Sequence, residues 1–444
     1  MTISMNEQET RYFQCLDEIK LHRVHGRIEK VIGLTIESKG PAARIGDICI
    51  VKSDTGGESL CEVVGFRRDD VLLMPLGSVE GLSPGSEVRA TGESLKVRVG
   101  FELLGRVVDG LGNPIDGREP LATNEWAPLY RTPPSPLSRP LIDTPLCTGV
   151  RAIDGLLTVG KGQRVGLFAG SGVGKSTLLG MIAKNSEADV NVIGLIGERG
   201  REVREFIERD LGPEGRKRSV VVVATSDQPA LVRVKGAFTA TAIAEYFRDQ
   251  GLQVALMMDS VTRFAMAQRE LGLAVGEPPT ARGYTPSVFN LLPKLLERAG
   301  RAKRGAITGI YTVLVDGDDM QDPIADAVRG ILDGHFVLSR ELANKGHFPA
   351  LDPLQSVSRL MSELVSKDQL QAAMQVRSLL AAKREVEDLI RIGAYQKGTD
   401  HTADLAIATE PHLLTFLRQR RDETTDFQST VQVLQAIAQG VVTE

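Results

Sequence analysis

The sequence predicts an α/β protein: a parallel-sheet core with helices on both faces, preceded by a small N-terminal β-barrel and followed by a C-terminal helical domain. Three observations predict it. Apolar strand-like runs alternate with helical ones between Arg164 and Val315, short β-rich stretches with turn signals fill the region before them, and apolar residues recur at helical spacing near the C-terminus. The expected divisions are residues 1–95 for an N-terminal helix plus barrel, 96–365 for the sheet domain and 366–444 for the helical domain.

The barrel rests on β-rich stretches at Arg27–Glu37, Ile48–Lys52, Leu60–Phe66 and Val71–Met74. Ser38-Lys39-Gly40, Thr55-Gly56-Gly57 and Ser83-Pro84-Gly85 supply turns between them. Ahead of the barrel, Tyr12, Leu16 and Ile19 lie at helical spacing and predict a short amphipathic helix, packed on its own domain or serving as a partner-binding arm. Pro128, Pro133, Pro134, Pro136, Pro140 and Pro145 disfavour helix, so the chain from Ala127 to Pro145 is expected to run extended into the next domain.

The core strands are expected at Arg164–Phe168, Val190–Ile196, Val220–Ala224, Val254–Met258 and Ile307–Val315. Helices are expected between them at Lys175–Lys184 and Phe238–Gln250, the latter stopped by Gly251. Such alternation implies right-handed crossovers and a parallel sheet. Beyond it, Leu370, Met374, Leu380, Val386 and Ile390 mark one helix ending at Gly393, and Leu413, Phe416 and Leu417 a second.

Composition sets limits on function. A chain of 444 residues exceeds what one hydrophobic core fills, which implies two or three domains. Its 42% apolar and 25% charged residues are those of an ordinary globular protein. A net charge of −4, from 57 acidic and 53 basic side chains, gives no overall pull toward nucleic acid or anionic lipid. Cys15, Cys49, Cys61 and Cys147 have no C-x-x-C spacing for a metal or redox pair, which fits free thiols in a reducing cytoplasm. The polar N-terminus and the lack of an apolar run near the ~20 residues of a membrane span predict a soluble protein without a cleavable signal.

The strongest local signal is Ala169-Gly170-Ser171-Gly172-Val173-Gly174-Lys175-Ser176, which follows a predicted strand and opens a predicted helix. In that context glycines let successive backbone N–H groups turn inward around phosphates, and the helix N-terminus adds its positive end. Gly170, Ser171, Gly172, Val173, Gly174, Lys175, Ser176 and Thr177 are the expected nucleotide cradle, with Lys175 as a mobile charge and the Ser176 hydroxyl as a ligand to Mg2+. ATP and Mg2+ are the implied cofactors. Ala169 stands where the consensus has Gly.

Ligands of open α/β sheets sit beyond the carboxyl ends of the strands. There the run Val190–Ile196 ends in Gly197-Glu198-Arg199, and Val254–Met258 ends in Asp259-Ser260. Asp259 fits the Walker-B carboxylate that holds Mg2+ through its water shell. Glu198 is placed either to orient and polarise an attacking water or to face a helix dipole. Arg199 and Arg201 could hold phosphate or Glu198, or lie solvated at the surface.

Longer segments carry a family resemblance. They are Gly197-Glu198-Arg199-Gly200-Arg201-Glu202-Val203, Asp259-Ser260-Val261-Thr262-Arg263-Phe264, Gly283-Tyr284-Thr285-Pro286-Ser287-Val288-Phe289 and Asp352-Pro353-Leu354-Gln355-Ser356-Val357-Ser358-Arg359. With Gly162-Gln163-Arg164-Val165-Gly166 and Asp322-Pro323-Ile324-Ala325-Asp326 they cover most of the chain, which resembles the rotary-ATPase superfamily. Within it the chain looks most like the flagellar type III protein-export ATPases, sisters of the injectisome secretion ATPases. The resemblance implies a RecA-like core in which Glu198 is the catalytic glutamate with Arg199 beside it, Lys175 and Ser176 are phosphate and Mg2+ ligands, and Asp259 is the Walker-B acid. It also implies that Arg359 is an arginine finger acting on the neighbouring subunit's nucleotide and that Phe348 stacks on adenine.

In F-type synthases the glutamate and the finger fall on different chains, whereas this chain resembles both. A homo-hexamer with six equivalent sites at heterologous interfaces follows. The implied activity is ATP-driven export of flagellar proteins, with chaperone release and substrate unfolding, peripheral to the cytoplasmic face of an export apparatus. The implied partners are further copies of the chain, a stator-like negative regulator, a central-stalk-like coiled-coil protein, a membrane export gate and chaperone–substrate complexes. An injectisome ATPase is the near alternative. A non-hydrolysing rotary subunit would lack Glu198, and a Rho-type RNA translocase would need aromatics on its barrel, where Gly26 to Met74 has only Phe66, so no nucleic acid is expected.

Overall fold

A computed structural model describes residues 25–53, 56–315, 317 and 319–440. The expected helix around Tyr12, Leu16 and Ile19 lies outside the described residues, as do Cys15 and Thr55. The chain divides into two compact units between Leu95 and Lys96.

The first unit is a closed barrel of six antiparallel strands: β1 (Gly26–Ile32), β2 (Thr35–Lys39), β3 (Asp47–Lys52), β4 (Glu58–Arg67), β5 (Asp70–Pro75) and β6 (Glu87–Ser94), in the order β1-β2-β5-β4-β3-β6. Alternation turns Ile36, Cys49, Val51, Val63, Leu73 and Val88 into its core. The Arg27–Glu37 stretch is two strands, not one. Gly33, at φ 58°, turns the chain between β1 and β2, and the apolar flanks Ile32 and Leu34 hid this tight hairpin from a hydropathy reading.

The second unit is built on a nine-stranded sheet. Its strands include β7 (Val107–Asp109), β8 (Arg164–Ala169), β9 (Val190–Ile196), β10 (Ser219–Ala224), β11 (Gln253–Asp259), β12 (Ala306–Leu314), β13 (Gly334–Leu338) and β14 (Val357–Ser358). They run in the order β14-β13-β8-β12-β11-β9-β10-β7, parallel from β13 to β7, with the edge strand β14 antiparallel. Every residue of β9 and β10 is buried, because helices cover both faces; this is why these strands read as unbroken apolar runs.

The helices used below are α1 (Arg151–Leu156), α2 (Lys175–Asn185), α3 (Ala230–Asp249), α4 (Val261–Ala274), α5 (Lys367–Arg391), α6 (His401–Leu417) and α7 (Phe427–Ala438). Helix α3 starts at Ala230, well before the expected Phe238. Val232, Val234 and Gly236 have weak helix propensity, and the helix is buried on nearly every side, which erases the amphipathic signal. The helix expected to end at Gly393 is present as α5, but its buried face is Gln369, Ala372, Ala373, Val376 and Leu379, while Met374 is 64% exposed. Leu370 and Leu380 of the expected set flank that face, partly buried against the core. Helices α5 to α7 share a hydrophobic core with α1 and β8; Phe416 packs where a Cβ on Gly155 would come within 2.7 Å of its ring. Among the described residues no helix is long and apolar enough to cross a membrane.

One ion pair sits deep in this unit. Arg298 and Glu245 are each 1% exposed and bond fork to fork at 2.9 and 2.6 Å, while the third donor of Arg298 reaches the Leu129 carbonyl at 2.7 Å. Replacing Glu245 with Gln strands a buried guanidinium without its counter-charge. A loss of about 3–5 kcal/mol is expected, read as a lower denaturation midpoint.

Candidate active site

Parallel strands place their carboxyl ends along one edge of the sheet, and there the sequence-predicted residues converge. The loop from Gly170 to Gly174 leaves β8 and enters α2, with Gly174 at φ 99°, a left-handed conformation that disfavours a side chain. Gly170, Ser171, Gly172, Gly174, Lys175, Ser176, Thr177, Glu198 and Arg199 all line one cavity of about 570 Å³. Val173 instead turns its side chain into the core at 1% exposure, leaving its main chain to the loop.

Lys175 reaches across the sheet edge. Its Nζ lies 2.5 Å from Asp259 Oδ1 and 3.8 Å from Glu198 Oε1. Asp259 ends β11 and also accepts a hydrogen bond from the Thr312 hydroxyl at 2.8 Å, which fixes its carboxylate from β12. Glu198 follows Gly197, whose φ of 74° and close approach to Arg263 leave no room for a Cβ. Its Oε1 is buried without a hydrogen-bond partner. Burial first and the Asp259 carboxylate second push Glu198 up to about 7, against the opposing pull of Lys175. Arg199 is largely solvent-exposed and pairs with Glu202 at 3.4 Å.

A second cavity, of about 710 Å³, lies on the other side of the loop and shares Gly174 and Thr177 with the first. Phe348 lines it at 48% exposure, and its ring would stand 3.6 Å from a Cβ on Gly174. The opposite wall comes from Thr415 near the end of α6 and from Arg418, Gln419, Arg420, Arg421 and Glu423 in the connection that follows it. Arg151 ties that wall down, donating to the Phe416 and Thr415 carbonyls at 3.0 and 3.2 Å and pairing with Glu423. Together the two cavities form a groove with a polar, amide-lined end and an apolar aromatic end, complementary to the triphosphate and base of a nucleotide.

Arg359 is not brought to this groove. It borders neither cavity; it stands just past β14, where its guanidinium donates to the Arg329 carbonyl at 3.3 Å. Two features were missed from the sequence. Arg263, in the first turn of α4, lines the first cavity with a buried, unpartnered Nε, and its place four residues after Asp259 was the available signal. The Thr415–Glu423 wall had none.

Comparison with known proteins places this chain in a family. The nucleotide-binding domain model of the ATP synthase alpha/beta family matches residues 149–358, its beta-barrel domain model matches 28–92, and a T3SS EscN ATPase C-terminal domain model matches 365–436. A flagellum-specific ATP synthase of Bacillus subtilis strain 168 is 58% identical over 427 residues, covering 95% of this chain and 97% of the relative. The chain belongs to the ATP synthase alpha/beta family. Like that family's members it is a P-loop ATPase. A type 3 secretion system ATPase of Xanthomonas euvesicatoria is 51% identical over 97% of this chain and 97% of its own length. The solved structure of the assembled ATPase EscN from the enteropathogenic E. coli type III secretion system superposes with a TM-score of 0.88 at 50% identity, covering 93% of this chain and all of that one. Another holds EscN in complex with its central stalk EscO, at a TM-score of 0.86 and 49% identity over 93% of this chain. The same alpha/beta-family architecture of barrel, nucleotide-binding sheet and C-terminal helices is the one described above.

Proposed function

We propose that this ATPase energises flagellar type III protein export as a homo-hexameric ring, with Glu198 as the catalytic carboxylate. The observation that carries the mechanism is the Glu198 carboxylate, buried beside Lys175 and Asp259 at the polar end of the groove with one oxygen free to accept a hydrogen bond. The amides of Gly170 to Ser176 and the Lys175 ammonium bind the β- and γ-phosphates, and Glu198 orients the attacking water and accepts its proton. Lys175 then exchanges its Asp259 contact for phosphate oxygens. Arg199 and Arg263 add positive charge at the rim. Phe348 supports the base by stacking on it.

The residues fit Mg2+ as the companion ion. Among the described residues no group of three or more His, Cys, Asp or Glu side chains could hold a metal alone, so the protein's share is small: the Ser176 hydroxyl and Asp259, both hard oxygen donors. When bound, Mg2+ neutralises charge on the phosphate oxygens.

Arg359 supports the hexamer reading, because a finger that lies outside its own groove must serve another subunit's, and a relative is known as an assembled ATPase. A stator-like regulator, a central-stalk-like coiled coil, an export gate at the membrane and chaperone–substrate complexes are the partners this reading carries. EscN's complex with its central stalk supports the stalk. Flagellum-specific relatives at 58 and 54% identity favour the flagellar branch over the injectisome, whose members are also similar. Deleting the gene decides between them: loss of filaments and motility is expected, with effector secretion intact, and the opposite pattern assigns the chain to an injectisome.

A further inference from the structure

The edge strand that leads to Arg359 is only two residues long, pairing Val357 and Ser358 with His335 and Gly334. So short a strand fixes its own position poorly, and neighbouring side chains must do it. Three of them come from one helix. Gln369, Arg377 and Arg384 of α5 fall within a single face, at successive spacings of about two turns.

Arg384 donates to the buried Asp352 carboxylate at 2.9 Å, and Asp352 in turn accepts the Leu354 and Gln355 N–H groups at 2.9 and 3.4 Å. Arg377 donates from both terminal nitrogens to the Ser356 carbonyl, at 3.3 Å each, while the Ser356 hydroxyl accepts the Val337 N–H at 2.9 Å. Gln369, 2% exposed, donates to the Thr158 hydroxyl at 3.2 Å and the Asp154 carbonyl at 3.1 Å. The Ser358 hydroxyl donates to the Thr158 carbonyl at 2.7 Å, which completes a hydrogen-bonded path from Gln369 to the residue preceding Arg359. Arg359 itself is tethered by its N–H to the Asp333 carbonyl at 3.1 Å.

We propose that Gln369, Arg377 and Arg384 are positioning residues, through which helix α5 sets the reach of Arg359 toward the nucleotide of the neighbouring subunit. Helix α5 then governs turnover through the finger, independently of the groove wall formed by Thr415 to Glu423. This inference rests on the reading of Arg359 as acting in trans. The chemistry favours such control: a displacement of about 1 Å in a catalytic group can cost on the order of 10²-fold in rate.

The test is steady-state phosphate release by the assembled full-length chain carrying Arg377→Ala. A fall in kcat of roughly ten- to a hundredfold is expected, with KM unchanged and partial recovery in Arg377→Lys, which keeps one donor for the Ser356 carbonyl. The variant is then titrated with Lys175→Ala subunits, which cannot turn over ATP but carry an intact finger. Turnover per Arg377→Ala subunit should climb toward that of the unaltered chain, a rescue that a folding defect or a damaged groove would not show. Unchanged kcat, a loss residing in KM, or no rescue in a mixture where Arg359→Ala is rescued overturns the proposal. If Arg359→Ala is not rescued either, the trans-finger reading has failed first and the proposal goes with it. Should Arg377→Ala not assemble by sedimentation, Gln369→Leu, similar in size, carries the same expectations and the same refutations.

Discussion

Changing Glu198 to Gln is expected to lower kcat on the order of 10²- to 10⁴-fold while leaving ATP affinity within a few-fold, measured by phosphate release and equilibrium binding. The amide keeps the shape of the side chain and its place beside Lys175 and Asp259, but it cannot accept the proton of the attacking water. The unaltered chain supplies a second readout. With Glu198 raised to about 7 by burial and the Asp259 charge, kcat/KM should fall as pH drops through that value and the base becomes protonated, whereas the residual activity of the variant should lack that limb. Loss of the fold cannot mimic this result. A carboxyl whose folded-state value stands above its ordinary 4.5 favours the fold when protonated, and that stability is lost as pH rises from 4.5 through about 7, so a neutral Gln should be at least as stable near neutrality. Undiminished hydrolysis by the Gln variant would remove Glu198 from the mechanism.

Arg359→Ala should be at least as severe, on the order of 10³- to 10⁵-fold in kcat, but with a different signature. Because Arg359 borders neither cavity of its own chain, its loss should appear only in the assembled ring. Turnover per subunit of the unaltered protein should rise with protein concentration as the ring forms, and that of the variant should stay flat. Full turnover by a demonstrably monomeric unaltered chain is the contrary result.

Much of the phosphate end of the groove was legible in the sequence, because its parts are contiguous and sit where strands stop. Gly170 to Thr177, Glu198 and Asp259 each follow an apolar run, and a parallel sheet needs no further information to gather such positions. The base end was illegible for the converse reason. Arg151 and Phe416, whose bond builds its wall, stand 265 residues apart, and no local pattern connects them. Helix α3 lost its first two turns because it is buried on nearly every side, Lys235 included, and of the residues that marked α5, Met374 is exposed while Leu370 and Leu380 only flank the buried face. Propensity and periodicity describe a segment in isolation, and each of these failures lies where a neighbour decided the outcome.

The N-terminal barrel carries a consequence for how other molecules can engage it. A sheet that closes on itself offers no bare row of amides and carbonyls along a border for a visiting peptide to zip onto. Its joints are not equal, however: among the described residues β1 pairs with β6 at Gly26 opposite Val88 and Arg27 opposite Glu87, the shortest ladder of the six, continued by Ile28, which donates to the Ser86 carbonyl at 3.0 Å and accepts from the Gly85 N–H at 2.7 Å. A ligand of this unit must therefore grip side chains on the outer surface, or else wait for the cylinder to part where it is stitched most lightly.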